Sequence, residues 1–154
     1  MWMSSDGEVL TGLWFDGSKD TGKQDRTGEV HLLPIFEETV RWLDIYFGGE
    51  VPKFTPAYRI GNLTDFRTEV QEQMGEIPYG KTVTYGDIAR VIAEKRGTAR
   101  MSAQAVGGAV GANPICIIVP CHRVMGAGGK ITGYGGGLEN KKMLLELEGI
   151  FYKE

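Results

Sequence analysis

A cysteine followed directly by a histidine is the feature of this sequence that most directly suggests chemistry. Cys121 and His122 follow the apolar run of residues 115–119 and precede a glycine-rich stretch. Thiols react as thiolates, and an imidazole can take up the thiol proton. The pair therefore predicts a cysteine nucleophile held at the end of a buried strand.

Strand geometry limits what this adjacency can do. Successive side chains of a strand point to opposite faces, so His122 reaches Cys121 only if the backbone turns after Pro120 or if a water carries the proton. A carboxylate that orients the imidazole would complete the arrangement. Glu146 and Glu148 are the candidates, and their spacing does not choose between them.

Burial is the alternative for both cysteines, because cysteine is among the most buried residue types. Cys116 lies inside the apolar run, and we expect it to be core. The polar neighbours His122 and Arg123 weaken that interpretation for Cys121. From the residues alone, a reactive and a merely buried Cys121 stay equally open.

Composition excludes several classes of protein. The 154 residues are 42% hydrophobic, which is enough for a folded core. The sequence has no apolar run long enough to span a membrane and no secretory signal. Two cysteines are too few for a disulfide framework, so we expect a reducing, cytoplasmic setting. With only two histidines beside them, we predict no metal site.

Charge is divided unevenly along the chain. The net charge is −3, with 5 Lys/Arg against 10 Asp/Glu in residues 1–58 and 12 against 10 in residues 59–154. A DNA-binding protein needs a local basic patch, not a basic chain. The second half can carry such a patch, whereas the first half is unsuited to one.

The elements predicted to position these residues fall into two domains. Residues 1–58 predict a small mixed α/β domain, with a strand over 8–15 and a helix over 33–47. Residues 59–154 predict a mainly helical domain with helices over 64–74, 85–95, 102–112 and 138–148 and a short active-site strand over 115–119. The predicted fold class is therefore α/β of the α+β kind.

The two helices over 85–95 and 103–112 predict a helix-turn-helix unit. The second helix contains Gly107, Gly108 and Gly111, although each glycine costs about 1 kcal/mol of helix stability relative to alanine. Such a bare surface permits close approach, either by a packed helix or by DNA. With few long polar side chains, it suits a shape-reading minor-groove contact better than base readout in the major groove.

Five ordered segments resemble the O6-alkylguanine-DNA alkyltransferase family, also called methylated-DNA–protein-cysteine methyltransferase. The resemblance runs from about residue 63 to residue 150, and the Pro-Cys-His-Arg sequence is its most specific part. The segments are TYGDIA at 84–89, AVGGA at 105–109, NP at 113–114, IVPCHRV at 118–124 and GYGGGL at 133–138, together with Lys141.

The resemblance implies a catalytic role for four residues. Cys121 would accept the alkyl group, and His122 would deprotonate it through a bridging water. Glu148 would polarise His122, and Asn113 would brace the site by hydrogen bonds. Because the thioether product is not reversed, one protein molecule would take one alkyl group.

The resemblance also implies contacts with DNA from which the alkylated base has been flipped. Tyr85 would contact the flipped guanine and rotate the neighbouring phosphate, and the carbonyls of Cys121 and Val124 would accept from the exocyclic amine. Tyr134 and the amide of Gly135, where many relatives have serine, would face O6. Gln104 stands where many relatives have an intercalating arginine, so salt-dependent affinity would depend more on Arg100, Arg96 and Lys95.

The resulting hypothesis is stoichiometric repair of O6-alkylguanine, with O4-alkylthymine as a second substrate. The partner would be double-stranded DNA, bound by a monomer that needs no cofactor and contacts no membrane. One alternative is a module that recognises alkylated bases without repairing them, as relatives that lack the cysteine do. Another is a cysteine hydrolase of small molecules, which would turn over many times.

Overall fold

The polypeptide folds into helices arranged around two very short β-sheets, and the computed structural model describes residues 1–24 and 28–154. This architecture confirms the predicted α+β class. The strands are β1 (Trp2–Ser5), β2 (Leu10–Trp14), β3 (Val83–Thr84) and β4 (Val124–Met125). The α-helices are α1 (Pro34–Phe47), α2 (Asp65–Gly75), α3 (Tyr85–Arg96), α4 (Ala103–Gly111) and α5 (Leu138–Leu147). Single 3₁₀ turns lie at Lys19–Lys23, Cys121–Arg123 and Ala127–Gly129.

The first sheet is an antiparallel hairpin of β1 and β2. The sequence predicts only its second strand, which is shorter than residues 8–15. β2 also pairs with two segments that come later in the chain: Leu10 forms a β-bridge to Tyr58, and Leu13 forms one to Ile115. The hairpin therefore ties the start of the chain to the segment that leads to Cys121.

Helix ends confirm the predicted caps. Thr84 and Asp87 form a reciprocal capping box at the start of α3, with hydrogen bonds of 3.0 and 2.9 Å. Ser102 accepts a 3.1 Å hydrogen bond from the amide of Ala105 at the start of α4. Because these side chains satisfy amides that the first helical turn leaves free, they fix where both helices begin.

The strand predicted over 115–119 is wrong. Only Ile115 forms a bridge, and Ile117 adopts a left-handed backbone conformation with φ 69°. The segment is a buried turn in which the amide of Val119 donates to the carbonyl of Ile115 over 3.2 Å. The nearby short strand is instead β4, which pairs in parallel with β3.

One continuous core joins the elements of both halves of the sequence. Leu13 from β2 and Tyr46 from α1 are buried in the same apolar cluster as Ile92 from α3, Val106 from α4 and Leu144 from α5. Within the described residues, no helix combines the length and apolarity that a membrane crossing requires.

Candidate active site

A 3₁₀ turn changes the geometry that sequence adjacency alone would give Cys121 and His122. The turn spans Cys121–Arg123, and both side chains are almost fully buried, with 6% and 0% exposure. Asn113 holds the preceding segment by donating from Nδ2 to the carbonyls of Ile115 and Val119 over 3.1 Å each. The backbone therefore turns where an extended strand would have pointed the two side chains apart.

Glu148, and not Glu146, contacts His122. Its Oε2 is hydrogen-bonded to Nε2 of His122 and also accepts from the hydroxyl of Tyr46 over 3.0 Å. Glu146 is exposed at the end of α5 and accepts from Tyr152. The geometry thus distinguishes two acids that spacing left open.

The other oxygen of Glu148 is equally engaged. Oε1 accepts from Nε of Arg123 over 2.8 Å and from the amide of Gly80 over 3.1 Å. Arg123 donates further to the carbonyl of Ile77 over 2.8 Å. Donors therefore surround a fully buried carboxylate, which is how a protein keeps such a group ionised.

The electrostatics of this cluster favour a neutral imidazole beside a carboxylate. Burial alone would raise the pKa of Glu148, but the hydrogen bond from His122 and the charge of Arg123 outweigh it and lower the pKa to about 2. Burial lowers the pKa of His122. Its Nδ1 has no hydrogen-bond partner among the described residues. With Nε2 donating to Glu148, Nδ1 is a free acceptor, which a general base requires.

The two cysteines differ in how readily they lose a proton. A hydrogen bond from the Cys116 thiol lowers the pKa of Cys121, with further help from Asn113 and Tyr134. The same hydrogen bond, together with burial, raises the pKa of Cys116. Cys116 is 1% exposed, as its place in the apolar run predicts. Cys121 is therefore the sulfur that ionises more readily.

A cavity of about 60 Å³ opens onto Cys121. Tyr85 lies at its wall, donating or accepting a 3.2 Å hydrogen bond with Thr132. Gly107 of α4 lies beside the Tyr85 ring, and a Cβ there would make an ordinary van der Waals contact with it at 3.8 Å. The residues lining the cavity are Asp20, Tyr85, Gly107, Val110, Gly111, Asn113, Cys121, Gly133, Tyr134 and Gly135.

The glycine-rich loop supplies the far wall of this cavity. The Tyr134 hydroxyl is buried beside the two cysteines, and burial raises its pKa well above the ordinary value. Gly136 lets the ring pack, because a Cβ there would lie 2.6 Å from Tyr134. Tyr134 therefore keeps its proton at the wall of the cavity, where it can donate a hydrogen bond.

Val124 contributes a carbonyl that is already engaged. The buried Lys141 donates from Nζ to it over 2.9 Å, and burial lowers the pKa of Lys141 to about 8. The carbonyl of Cys121 likewise accepts from the amide of Val124. A carbonyl has a second lone pair, so both remain able to accept from a bound base.

Gln104 and Arg100 lie outside the cavity on an exposed face. Arg100 precedes α4, and Gln104 lies in its first turn; α4 is the second helix of the predicted helix-turn-helix. Arg96 binds Glu69 with 3.0 and 3.1 Å hydrogen bonds from Nε. Its charge is therefore partly neutralised, while Arg100 forms no ion pair with any described residue.

A larger groove lies elsewhere and contains none of the predicted site residues. It measures about 470 Å³ and is lined by the β1–β2 hairpin, residues 59–63, α2 and the C-terminal end of α4. In residues 1–24 and 28–154, no cluster of three or more His, Cys, Asp or Glu could hold a metal ion.

Four contributors to the site were not predicted from sequence. Tyr46 sits on the inward face of α1, where an aromatic residue is expected as core. Lys141 was noted only as part of the family match, and Asp20 falls in a polar stretch without pattern. Arg123 was noted only as a polar neighbour of Cys121, and its ion pair with Glu148 could have been inferred only from the fold.

Comparison with known proteins identifies the relatives of this chain. Residues 65–150 match the family model described as 6-O-methylguanine DNA methyltransferase, DNA binding domain. The chain belongs to this methyltransferase family. The methylated-DNA–protein-cysteine methyltransferase of Mycobacterium tuberculosis is 44% identical over 146 residues, which cover 95% of this chain and 84% of the relative. The Haemophilus influenzae protein of the same name is 38% identical, covering 96% and 79%.

Solved structures of the methyltransferase family share the fold. The crystal structure of Mycobacterium tuberculosis OGT in complex with DNA has a TM-score of 0.78 and 42% identity, covering 95% of this chain and 84% of that one. The O6-methylguanine-DNA methyltransferase of Pyrococcus kodakaraensis has a TM-score of 0.54 and 25% identity, covering 96% and 89%. The likeness therefore extends along both halves of the chain.

Proposed function

We propose that this protein repairs DNA by transferring the alkyl group of O6-alkylguanine to Cys121, once per molecule. The observation that carries the proposal is a buried thiol beside His122, whose Nε2 is bonded to Glu148 while Nδ1 accepts from no described group. The names of the relatives, methylated-DNA–protein-cysteine methyltransferases, agree with this chemistry. O4-alkylthymine is a second proposed substrate.

The transfer begins with removal of the Cys121 proton. Nδ1 of His122 takes it through a bridging water, and the resulting imidazolium is stabilised by the ionised Glu148. The thiolate attacks the alkyl carbon, so the S–C bond forms while the C–O bond to the base breaks. Tyr134 donates a hydrogen bond to the departing oxygen, with the amide of Gly135 as the second donor.

The base must leave the duplex to reach this thiol, because Cys121 is buried. Tyr85 contacts the flipped guanine, and the carbonyls of Cys121 and Val124 accept from its exocyclic amine. Gln104, exposed at the start of α4, fills the space that the base vacates. Arg100 contacts phosphate, which makes affinity salt-dependent.

We further propose a division of labour along the chain. Residues 1–58 support the site, and residues 59–154 bind DNA and accept the alkyl group. Asn113 braces the active-site turn. The protein works as a monomer in the cytoplasm, and the thiol chemistry needs no cofactor.

Mass spectrometry of the protein after incubation with a duplex containing O6-methylguanine tests the proposal. We expect one added methyl group per molecule, located on the Cys121 peptide, and no further transfer with excess DNA. Cys121→Ser should bind the same duplex without gaining mass. If the Cys121 peptide of the wild-type protein stays unmodified, the protein recognises alkylated DNA without repairing it. Repeated turnover would indicate a hydrolase.

A further inference from the structure

Asp20 extends from the N-terminal part of the chain into the alkyl-acceptor cavity. It belongs to the 3₁₀ turn Lys19–Lys23, and it is 3% exposed. Its amide donates to the carbonyl of Gly135 over 3.3 Å, and its Oδ2 accepts from the Cys116 thiol over 3.4 Å. Among the residues that line the cavity, it is the one with an ionisable carboxyl group.

The glycine-rich loop makes room for this carboxylate. A Cβ at Gly135 would lie 2.2 Å from Oδ1 of Asp20, which is far inside van der Waals contact. Any side chain at position 135 would therefore push Asp20 out of its place. Asp20 and Gly135 together determine how the cavity is filled.

The cavity that remains is too small for a nucleobase. Its volume of about 60 Å³ holds about four to six waters, at roughly 10–15 Å³ of such space each. A flipped purine and the alkyl group on its O6 need more space than this. Because Asp20 belongs to a short turn and not to a core helix, its side chain can withdraw without displacing a helix.

Asp20 also competes for the hydrogen bond that activates the nucleophile. A thiol has a single proton to donate. The single proton of the Cys116 thiol is therefore shared between Oδ2 of Asp20 and the sulfur of Cys121, and Asp20 weakens the hydrogen bond that lowers the pKa of Cys121. The carboxylate adds a second effect, since a nearby negative charge disfavours a thiolate. Withdrawal of Asp20 thus opens the cavity and frees the Cys116 proton together.

We propose that Asp20 is a specificity-determining residue, which covers Cys121 in the free protein and is displaced when the alkylated base of DNA enters. This inference rests on the proposed function. A protein that can react only once loses its activity to any small electrophile that reaches its thiol. Asp20 reserves the thiol for a substrate whose binding to the rest of the protein stabilises the open cavity.

Iodoacetamide, in the absence of DNA, is the probe for this role. The thiolate sulfur bonds to its methylene carbon, the C–I bond breaks, iodide leaves, and the thiol proton goes to solvent. We expect Asp20→Ala to raise the rate of Cys121 modification roughly tenfold, which corresponds to about 1.4 kcal/mol. Gly135→Ser should have a similar effect, because the serine Cβ displaces Asp20.

Matched variants separate this effect from general disruption. Asp44→Asn removes an exposed carboxylate from α1 and should leave the rate unchanged. The double variant Asp20→Ala/Gly135→Ser should be no faster than either single variant, since both act through one group. With free O6-benzylguanine as the alkylating agent, the variants should rank in the same order of Cys121 modification rate as with iodoacetamide.

Three results would overturn the proposal. The first is a rate in Asp20→Ala within about twofold of wild type. The second is additivity of the two substitutions. The third is parallel labelling of Cys116, because local unfolding exposes both sulfurs, and fragment masses distinguish them. Methyl transfer from duplex DNA to the wild-type protein is measured separately, so its failure refutes the proposed function and not the role of Asp20.

Discussion

Replacing Glu148 by glutamine is the perturbation that examines the active-site cluster most directly. Glutamine keeps the shape of the side chain but removes the charge. Its amide nitrogen, placed where Oε2 now accepts from His122 and Tyr46, would donate to Nε2. The imidazole would then carry its proton on Nδ1 and could no longer accept one there. We therefore expect alkyl transfer to slow by about 10²–10⁴-fold, the usual contribution of a general base.

The same substitution carries a stability cost that can be worked from the pKa. A neutral amide imitates the protonated acid, and the fall in the pKa of Glu148 from 4.5 to about 2 corresponds to about 3 kcal/mol. The lost ion pair with Arg123 is part of this cost. For a chain of this size, the Tm should fall by about 6–12 °C.

Single-turnover transfer from O6-methylguanine duplex, followed by the mass of the Cys121 peptide, measures the rate below the Tm of the variant. DNA affinity should stay near the wild-type value, because Glu148 is buried and does not line the cavity. Glu146→Gln, at the exposed end of the same helix, is the matched control. A variant that transfers at the wild-type rate, or that loses affinity instead of rate, would refute the proposed role of Glu148.

Three further predictions concern DNA, pH and the loop. Gln104→Arg should strengthen DNA binding and steepen the dependence of log K on log salt by about 0.9, and an unchanged slope would place Gln104 off the DNA. Acidification should lower the Tm. The pKa of His122 is lower in the folded protein than in the unfolded chain, so the protein loses stability as the pH falls below about 6.5. The protein loses further stability as the pH falls from 4.5 towards 2, where Glu148 becomes protonated. A constant Tm between pH 7 and 4 would contradict this. Gly136→Ala should destabilise the fold by about 1–3 kcal/mol in denaturant titrations, because its Cβ would lie 2.6 Å from the Tyr134 ring, whereas Gly133→Ala meets no atom within 4 Å and should be near neutral.

Local signals predicted the helices well, because caps act over a few residues. The Thr84–Asp87 box and Ser102 bond to amides within three positions of themselves, so the sequence contains the whole interaction. The family resemblance added candidate residues that no local rule supplies. It named Glu148 as the partner of His122 across 26 positions, and the structure places the two side chains in contact.

Burial without strand pairing explains the failure at residues 115–119. A run of aliphatic residues indicates that the segment is buried, and it does not say what satisfies its backbone. In this segment the side chain of Asn113 donates hydrogen bonds to two backbone carbonyls. In a sheet, the amides of an adjacent strand would donate them. Asp20 could not be predicted for a related reason: two of its partners, Cys116 and Gly135, are 96 and 115 positions away along the chain.

The hydrogen bond from Tyr46 to Glu148 has a consequence for how such proteins can be taken apart or recombined. A fragment that begins at residue 59 contains Cys121, His122 and Glu148, yet it lacks one of the donors to the Glu148 carboxylate. Exchange of the N-terminal segment between relatives would therefore alter the proton affinity of the cluster as well as the fold. The acceptor site therefore depends on side chains from both halves of the chain.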